Sequence, residues 1–167
     1  ALLNHSGSTN SLWTERTRLR ENLNLISHVA KEADVEIILA FKAYALWRTF
    51  PIFREYIKAT TASSLFEARL GFEEFGAPTH TFSPGYTDYE IDDIARCSSH
   101  LVFNSLTQYE RYHVRAKIEN KKLSYGLRVN PEYSEVETLI YNPCAPGTRF
   151  GISSNKLPET LPEDIDG

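Results

Sequence analysis

Between residues 14 and 33 apolar side chains recur at three- and four-residue steps, and Leu19, Leu23, Ile26 and Ala30 mark one face of an amphipathic helix. The pattern then changes period. Glu36 leads into an unbroken apolar run, Ile37-Ile38-Leu39-Ala40-Phe41, closed by Lys42, and so short a run predicts a buried strand. Helical spacing returns over residues 45–56 with Leu46, Phe50 and Phe53, and Pro51 fits the first turn of a helix beginning after Thr49. Small and β-branched residues at 59–63 predict a second strand. Ser64 is placed to cap a helix over 65–75, with Glu67 three residues on as in a capping box and Gly76 as its stop. A third strand is expected over 78–83, before the Pro84-Gly85 turn, and then a helix over 88–97 and a fourth strand over 100–104. Ser105 can cap a helix to about residue 116, and residues 123–130 alternate as a fifth strand closed by Pro131. Residues 132–148 carry Pro143, Pro146 and Gly147 and predict a long irregular loop of the functional kind. Residues 163–167 look like the opening of a further strand. The small, polar residues 1–13 are set apart as an unrelated or flexible lead-in, leaving 14–167 as one domain.

Strands and helices that alternate in this way define an α/β fold with a parallel sheet. Two closures fit: an open doubly wound sheet, or part of a (β/α)8 barrel of which about five or six strands are present. No GxGxxG or GxxxxGK[ST] motif opens any of the helices, so a nucleotide-binding fold has no support.

The balance of 18 basic and 22 acidic residues, a formal charge of -4, gives no footprint for nucleic acid or an anionic membrane. Cys97 and Cys144 stand alone without metal-ligand spacing, which suggests neither a disulfide framework nor a metal site and a reduced, cytoplasmic setting. No apolar stretch is long enough to span a bilayer.

In a barrel, reactive groups sit at the carboxyl ends of the strands. Those ends offer Lys42, residues 61–64, Ser83, Asn104, then Arg128 and Asn130, with Arg149 past the long loop. An amine, hydroxyls, an amide and two guanidiniums around one mouth suit an anionic, carbonyl-bearing molecule, because a partly desolvated lysine can form a Schiff base and arginine pairs with carboxylate or phosphate. Each group also has a structural reading. Lys42 can snorkel from a strand end, Ser64 and Ser105 can simply cap helices, Arg128 can pair with Glu132 or Glu135, and Asn104 can bond loop backbone. His80, His100 and His113 lie on different elements without ligand spacing, Cys144 lacks a placed base, and Glu73-Glu74 and Asp92-Asp93 fit solvated helix faces.

Five motifs in order, LAFKA at 39–43, TTASSLFEARLG at 60–71, VFNS at 102–105, GLRVNP at 126–131 and YNPCAPGTRFG at 141–151, resemble the carboxynorspermidine (carboxyspermidine) decarboxylases. That family belongs to the alanine racemase-like, fold-type III pyridoxal-phosphate enzymes, and the likeness runs from about Leu19 to Gly167. It implies an incomplete (β/α)8 barrel, without the family's carboxyl-terminal β domain. It also implies pyridoxal 5'-phosphate on Lys42, which later returns a proton to the decarboxylated carbon. Ser63, Ser64 and Asn104 match segments around the cofactor, Arg149 a basic position near its phenolic oxygen or the substrate carboxylate, and Arg128 a supporting position. The implied reaction converts carboxynorspermidine or carboxyspermidine to norspermidine or spermidine in polyamine biosynthesis, by a cytoplasmic homodimer. The family's ring-stacking histidine, glycine-rich phosphate loop and pyridine-pairing acid have no counterpart here, so the chain by itself is expected to be inactive. Other readings are a non-catalytic pyridoxal-phosphate barrel, an inactive fragment, and a diaminopimelate or ornithine decarboxylase on the same fold.

Overall fold

The structure, a computed structural model, describes the backbone of residues 6–167 and the side chains of residues 16–167. The first helix, α1, covers Ser6–Glu32, so it begins within the stretch set apart as a lead-in; residues 1–5 of that stretch lie outside the described residues. Five strands follow: β1 (Leu39–Ala40), β2 (Thr60–Ala62), β3 (Thr79–Phe82), β4 (Ser98–Phe103) and β5 (Ser124–Leu127). They pair in parallel in the order β1-β2-β3-β4-β5. Between them lie α2 (Phe50–Phe53), α3 (Leu65–Leu70), α4 (Ile91–Cys97) and α5 (Leu106–Glu119). A doubly wound sheet reverses its strand order at a switch point, and this one does not. With right-handed crossovers, a monotonic order puts every helix on one face and lets the other curl inward as a barrel lumen. The open-sheet alternative is therefore excluded, and the fold is part of a (β/α) barrel. Ile165 forms a parallel bridge with Tyr125, continuing the order past β5 where a further strand was expected.

Strand alternation shows which face is which. Leu39, Thr60, Ala62, Thr79, Thr81, Ser98, Leu101, Phe103, Tyr125 and Leu127 are buried toward the helices. One cluster joins Ile91, Ile94, Leu101, Phe103, Tyr109, Tyr112 and Tyr125 beneath α4 and α5. Another joins Leu23 of α1 to Phe41, Phe50, Phe53 and Phe75, with the Phe41 and Phe50 rings 5.3 Å apart. Burying each such ring removes enough apolar surface to contribute roughly 2–3 kcal/mol.

Several boundaries differ from the sequence pattern. The strand expected over 36–42 is reduced to Leu39–Ala40, because a turn at 41–43 bends the chain through bonds from the Ala43 and Tyr44 amides to the Ala40 carbonyl, both 3.0 Å. The helix expected over 45–56 is a 3-10 turn, Trp47–Thr49, leading into α2, which holds Pro51 in its first turn. The helix capped by Ser64 widens into a π-helical segment, Gly71–Phe75, and ends at Gly76 with φ 77°. The helix expected over 88–97 starts only at Ile91. The fifth strand breaks at Arg128: Val129–Asn130 forms β6, which pairs in parallel with β7 (Ile152–Ser153).

Candidate functional site

The lumen-facing positions are those opposite the buried ones. Ladder register aligns Ala40, Thr61, His80, His100 and Ser124 in one row across all five strands, and Phe82, Val102 and Gly126 in the next. Phe41 continues β1 by one bond, its amide to the Thr61 carbonyl at 3.2 Å, and packs toward the helices. Lys42 stands in the turn just past β1, and alternation carried one step beyond the strand ends puts it on the lumen side, with Ser63 after buried Ala62, Asn104 after Phe103 and Arg128 after Leu127. Lys42 is exposed, and among the described residues its ammonium has no hydrogen bond or ion pair. An unpaired amine at the carboxyl end of a barrel strand is free to react.

Ser64 is a helix cap: its Oγ accepts the Glu67 amide at 3.3 Å, while Glu67 accepts the Ser63 amide at 2.6 Å. The Ser63 hydroxyl makes no hydrogen bond among the described residues. Ser105 caps α5, accepting the Gln108 amide at 3.1 Å. Asn104 bonds loop backbone, donating from Nδ2 to the Arg149 carbonyl and accepting at Oδ1 from the Gly151 amide, each at 2.8 Å.

Arg128 makes no ion pair with Glu132 or Glu135. Its guanidinium carbon lies 4.7 Å from the Phe82 ring centroid and 4.5 Å from that of Phe150, a cation held between two aromatic faces. Glu132 instead accepts from Ser154, which holds its carboxyl below the usual range, and Glu135 accepts from Tyr133. The Arg149 side chain is exposed, 5.5 Å from the Phe150 centroid. The loop over 132–148 holds one 3-10 turn, Leu139–Tyr141, and exposes Tyr133, Leu139, Ile140 and Tyr141. A cleft of about 540 Å³ lies between this loop and the β6/β7 pair, lined by Glu132, Cys144, Thr148 and Lys156.

Two features were not legible from spacing alone. His80 and His100 sit side by side on the lumen face, ring centroids 3.8 Å apart, because β3 and β4 pair them in register. Burial, then the neighbouring His100, pushes the His80 imidazole below its ordinary value. Tyr86 is buried at the outer side of the mouth, donating to the Val102 carbonyl at 2.9 Å and accepting the Ser83 amide at 3.2 Å. Three of the four residues in the acidic pairs are ion-paired rather than merely solvated: Glu73 with Arg69, Asp92 with Arg115 and Asp93 with Arg96.

Fold and site together define a partial (β/α) barrel carrying an unpaired lysine at the end of its first strand. No protein-family model matches the chain. Over nearly all its length it is similar to polyamine-pathway decarboxylases. It is 41% identical over 153 residues to the carboxyaminopropylagmatine decarboxylase of a Synechocystis species, covering 92% of this chain and 39% of that protein. It is 32% identical to the carboxynorspermidine/carboxyspermidine decarboxylase of Herminiimonas arsenicoxydans, covering 96% of this chain and 43% of that one. The crystal structure of Campylobacter jejuni carboxynorspermidine decarboxylase, complexed with norspermidine, superposes with a TM-score of 0.74 at 32% identity, covering 89% of this chain and 37% of that one. The chain is thus a homologue of the carboxy(nor)spermidine decarboxylases and spans about two fifths of the length of these relatives.

Proposed function

We propose that this chain supplies the lysine-bearing part of a pyridoxal-phosphate-dependent decarboxylase acting on a carboxylated polyamine, carboxynorspermidine or carboxyspermidine. One observation carries the reading: Lys42, unpaired among the described residues, on the lumen face at the carboxyl end of β1. The donors around the mouth fit an anionic aldehyde cofactor, since an amine, the free Ser63 hydroxyl and the Arg128 and Arg149 guanidiniums supply a covalent anchor and cationic partners. Lys42, Ser63, Arg128 and Arg149 face the cofactor, while Ser64 and Asn104 hold the segments around it through the helix cap and the bonds to residues 149 and 151. When bound, pyridoxal phosphate supplies the electron sink for loss of the carboxylate. Lys42 would anchor the cofactor through its amine and, once the carboxylate is lost, its ammonium would return a proton to the carbon that carried it. The exposed Arg149 guanidinium receives the substrate carboxylate as a paired donor. Arg128 keeps the mouth in shape through its two aromatic contacts. We place the protein in the cytoplasm, as a homodimer with a small polyamine precursor as its partner. The domain corresponds to residues 14–167.

The 41% identity to a carboxyaminopropylagmatine decarboxylase favours a second substrate, one ending in a guanidinium instead of an ammonium. Both readings share one test. Pyridoxal phosphate added to the chain is expected to give a visible absorbance band that Lys42→Ala abolishes; a band that persists in the variant, or none in the parent, overturns the assignment. Product analysis with carboxynorspermidine and carboxyaminopropylagmatine, in a form extended to the relatives' full length, then ranks the substrates.

A further inference from the structure

The 149–151 segment returns from the long loop to the end of β4, and three features hold it there. The Asn104 amide spends both ends on it, Nδ2 on the Arg149 carbonyl and Oδ1 on the Gly151 amide, each at 2.8 Å, so the two bonds straddle Phe150. Phe150 in turn packs its ring against the Arg128 guanidinium, which also meets Phe82. Gly151 has φ 80°, and a Cβ there would stand 2.8 Å from the Asn130 amide nitrogen and 2.9 Å from the Val129 carbonyl carbon, so backbone approaches backbone where only glycine fits. The clasp is itself anchored, because the Asn104 backbone N–H donates to Gln108 Oε1 on α5 at 2.8 Å. Upstream, residues 142–148 carry short-range bonds, Cys144 amide to Asn142 Oδ1 at 2.8 Å and Thr148 amide to the Ala145 carbonyl at 3.0 Å. Such bonds shape a loop without fixing where it stands.

We propose that Asn104 is a positioning residue, an amide clasp that locks residues 149–151 onto the end of β4 and thereby fixes Arg149 over the mouth that Lys42 faces. The inference rests on the decarboxylase reading for its consequence, since an arginine that must meet a carboxylate loses less entropy if its backbone is already fixed. The clasp itself can be read without cofactor. Amide exchange of Gly151 is expected to rise about tenfold or more in Asn104→Ala, while Leu101 and Phe103 in the β4/β5 ladder keep their protection. Asn104→Asp keeps the acceptor for the Gly151 amide and loses the donor to the Arg149 carbonyl, so Gly151 should stay protected in it. Unchanged Gly151 exchange in Asn104→Ala, or loss of protection in Asn104→Asp with an intact ladder, overturns the proposal. If Asn104→Ala loses the ladder as well, Asn104→Asp decides. In turnover by a form extended to the relatives' full length, Asn104→Ala should raise KM for the carboxylated polyamine about tenfold and leave kcat within about twofold. Loss of the Lys42-dependent absorbance band in Asn104→Ala with Gly151 exchange unchanged would instead mean direct cofactor contact and sink the clasp. Failure of the decarboxylase reading shows separately, as absence of that band in the parent chain.

Discussion

At the scale of single residues the lumen face is chemically sparse, and its two imidazoles stand out. His80 is half-buried beside His100, and of the neighbouring charges only Glu36 favours its protonated form. Its folded value therefore lies below the ordinary 6.5 that the unfolded chain retains. Above that value both states are neutral and the chain has its full stability. As the pH falls, the unfolded state takes up the proton first, so stability declines between the ordinary and the folded value. Melting temperature should drop between about pH 7 and pH 5 in the parent and drop less in His80→Gln; equal slopes would refute a role for His80. The carboxylates held low by ion pairs, Asp88 with Arg111 and Asp92 with Arg115, act in the same direction in a more acidic window, below the ordinary 3.8 of their kind. Among the described residues Thr60 Oγ1 is the one buried side-chain oxygen without a hydrogen-bond partner, whereas Thr79, Thr81 and Ser98 link their hydroxyls in a chain at 2.7 Å.

At the scale of elements the caps follow the sequence, and the ends not set by caps follow packing. Ser64 and Ser105 cap α3 and α5, since a hydroxyl that accepts an orphan amide needs only its own chain. The π-helical widening at Gly71–Phe75 has no signal in hydrophobic spacing. It begins at Gly71, where the helix meets the sheet too closely for a side chain: a Cβ there would lie 2.2 Å from Thr79 Cγ2, 3.0 Å from the Phe41 ring and 3.0 Å from Thr60 Oγ1. Gly71→Ala should thus destabilise the chain by about 1–3 kcal/mol in urea unfolding, despite alanine's better helix propensity. Stability equal to or above the parent's would show that β3 yields freely. The split of the fifth strand at Arg128 is likewise tertiary, because Ile152 supplies a donor to the Arg128 carbonyl at 2.8 Å and draws residues 129–130 into a second ladder.

At the scale of the whole molecule, the carboxyl-terminal residues are fastened to the barrel wall across a long sequence separation. Tyr109 on α5 donates to the Asp164 carboxylate, which also lies 3.7 Å from Lys117. Burial, then Asp164, pushes the tyrosine up to about 12, while the phenol holds Asp164 below the usual carboxylate range. The Asp166 amide then reaches the Tyr125 carbonyl at 2.8 Å, and the Leu127 amide the Gly167 carbonyl at 2.9 Å. Tyr109→Phe should free this segment, raising amide exchange at Asp166 and Leu127 about tenfold while the β3/β4 ladder stays protected; unchanged exchange would place the fastening in Ile165 packing alone. The sequence by itself determined the alternation of strands and helices, the capping serines and the lysine at the end of an apolar run, because period, capping and burial are local or one-dimensional properties. Only the tertiary structure decided between an open sheet and a barrel, since strand order is not a local quantity. It alone paired His80 with His100 through a register and set Arg128 between Phe82 and Phe150 instead of against a glutamate. It also joined Asn104 to residues 149 and 151, because two groups so far apart in the chain meet only where the fold brings their elements together.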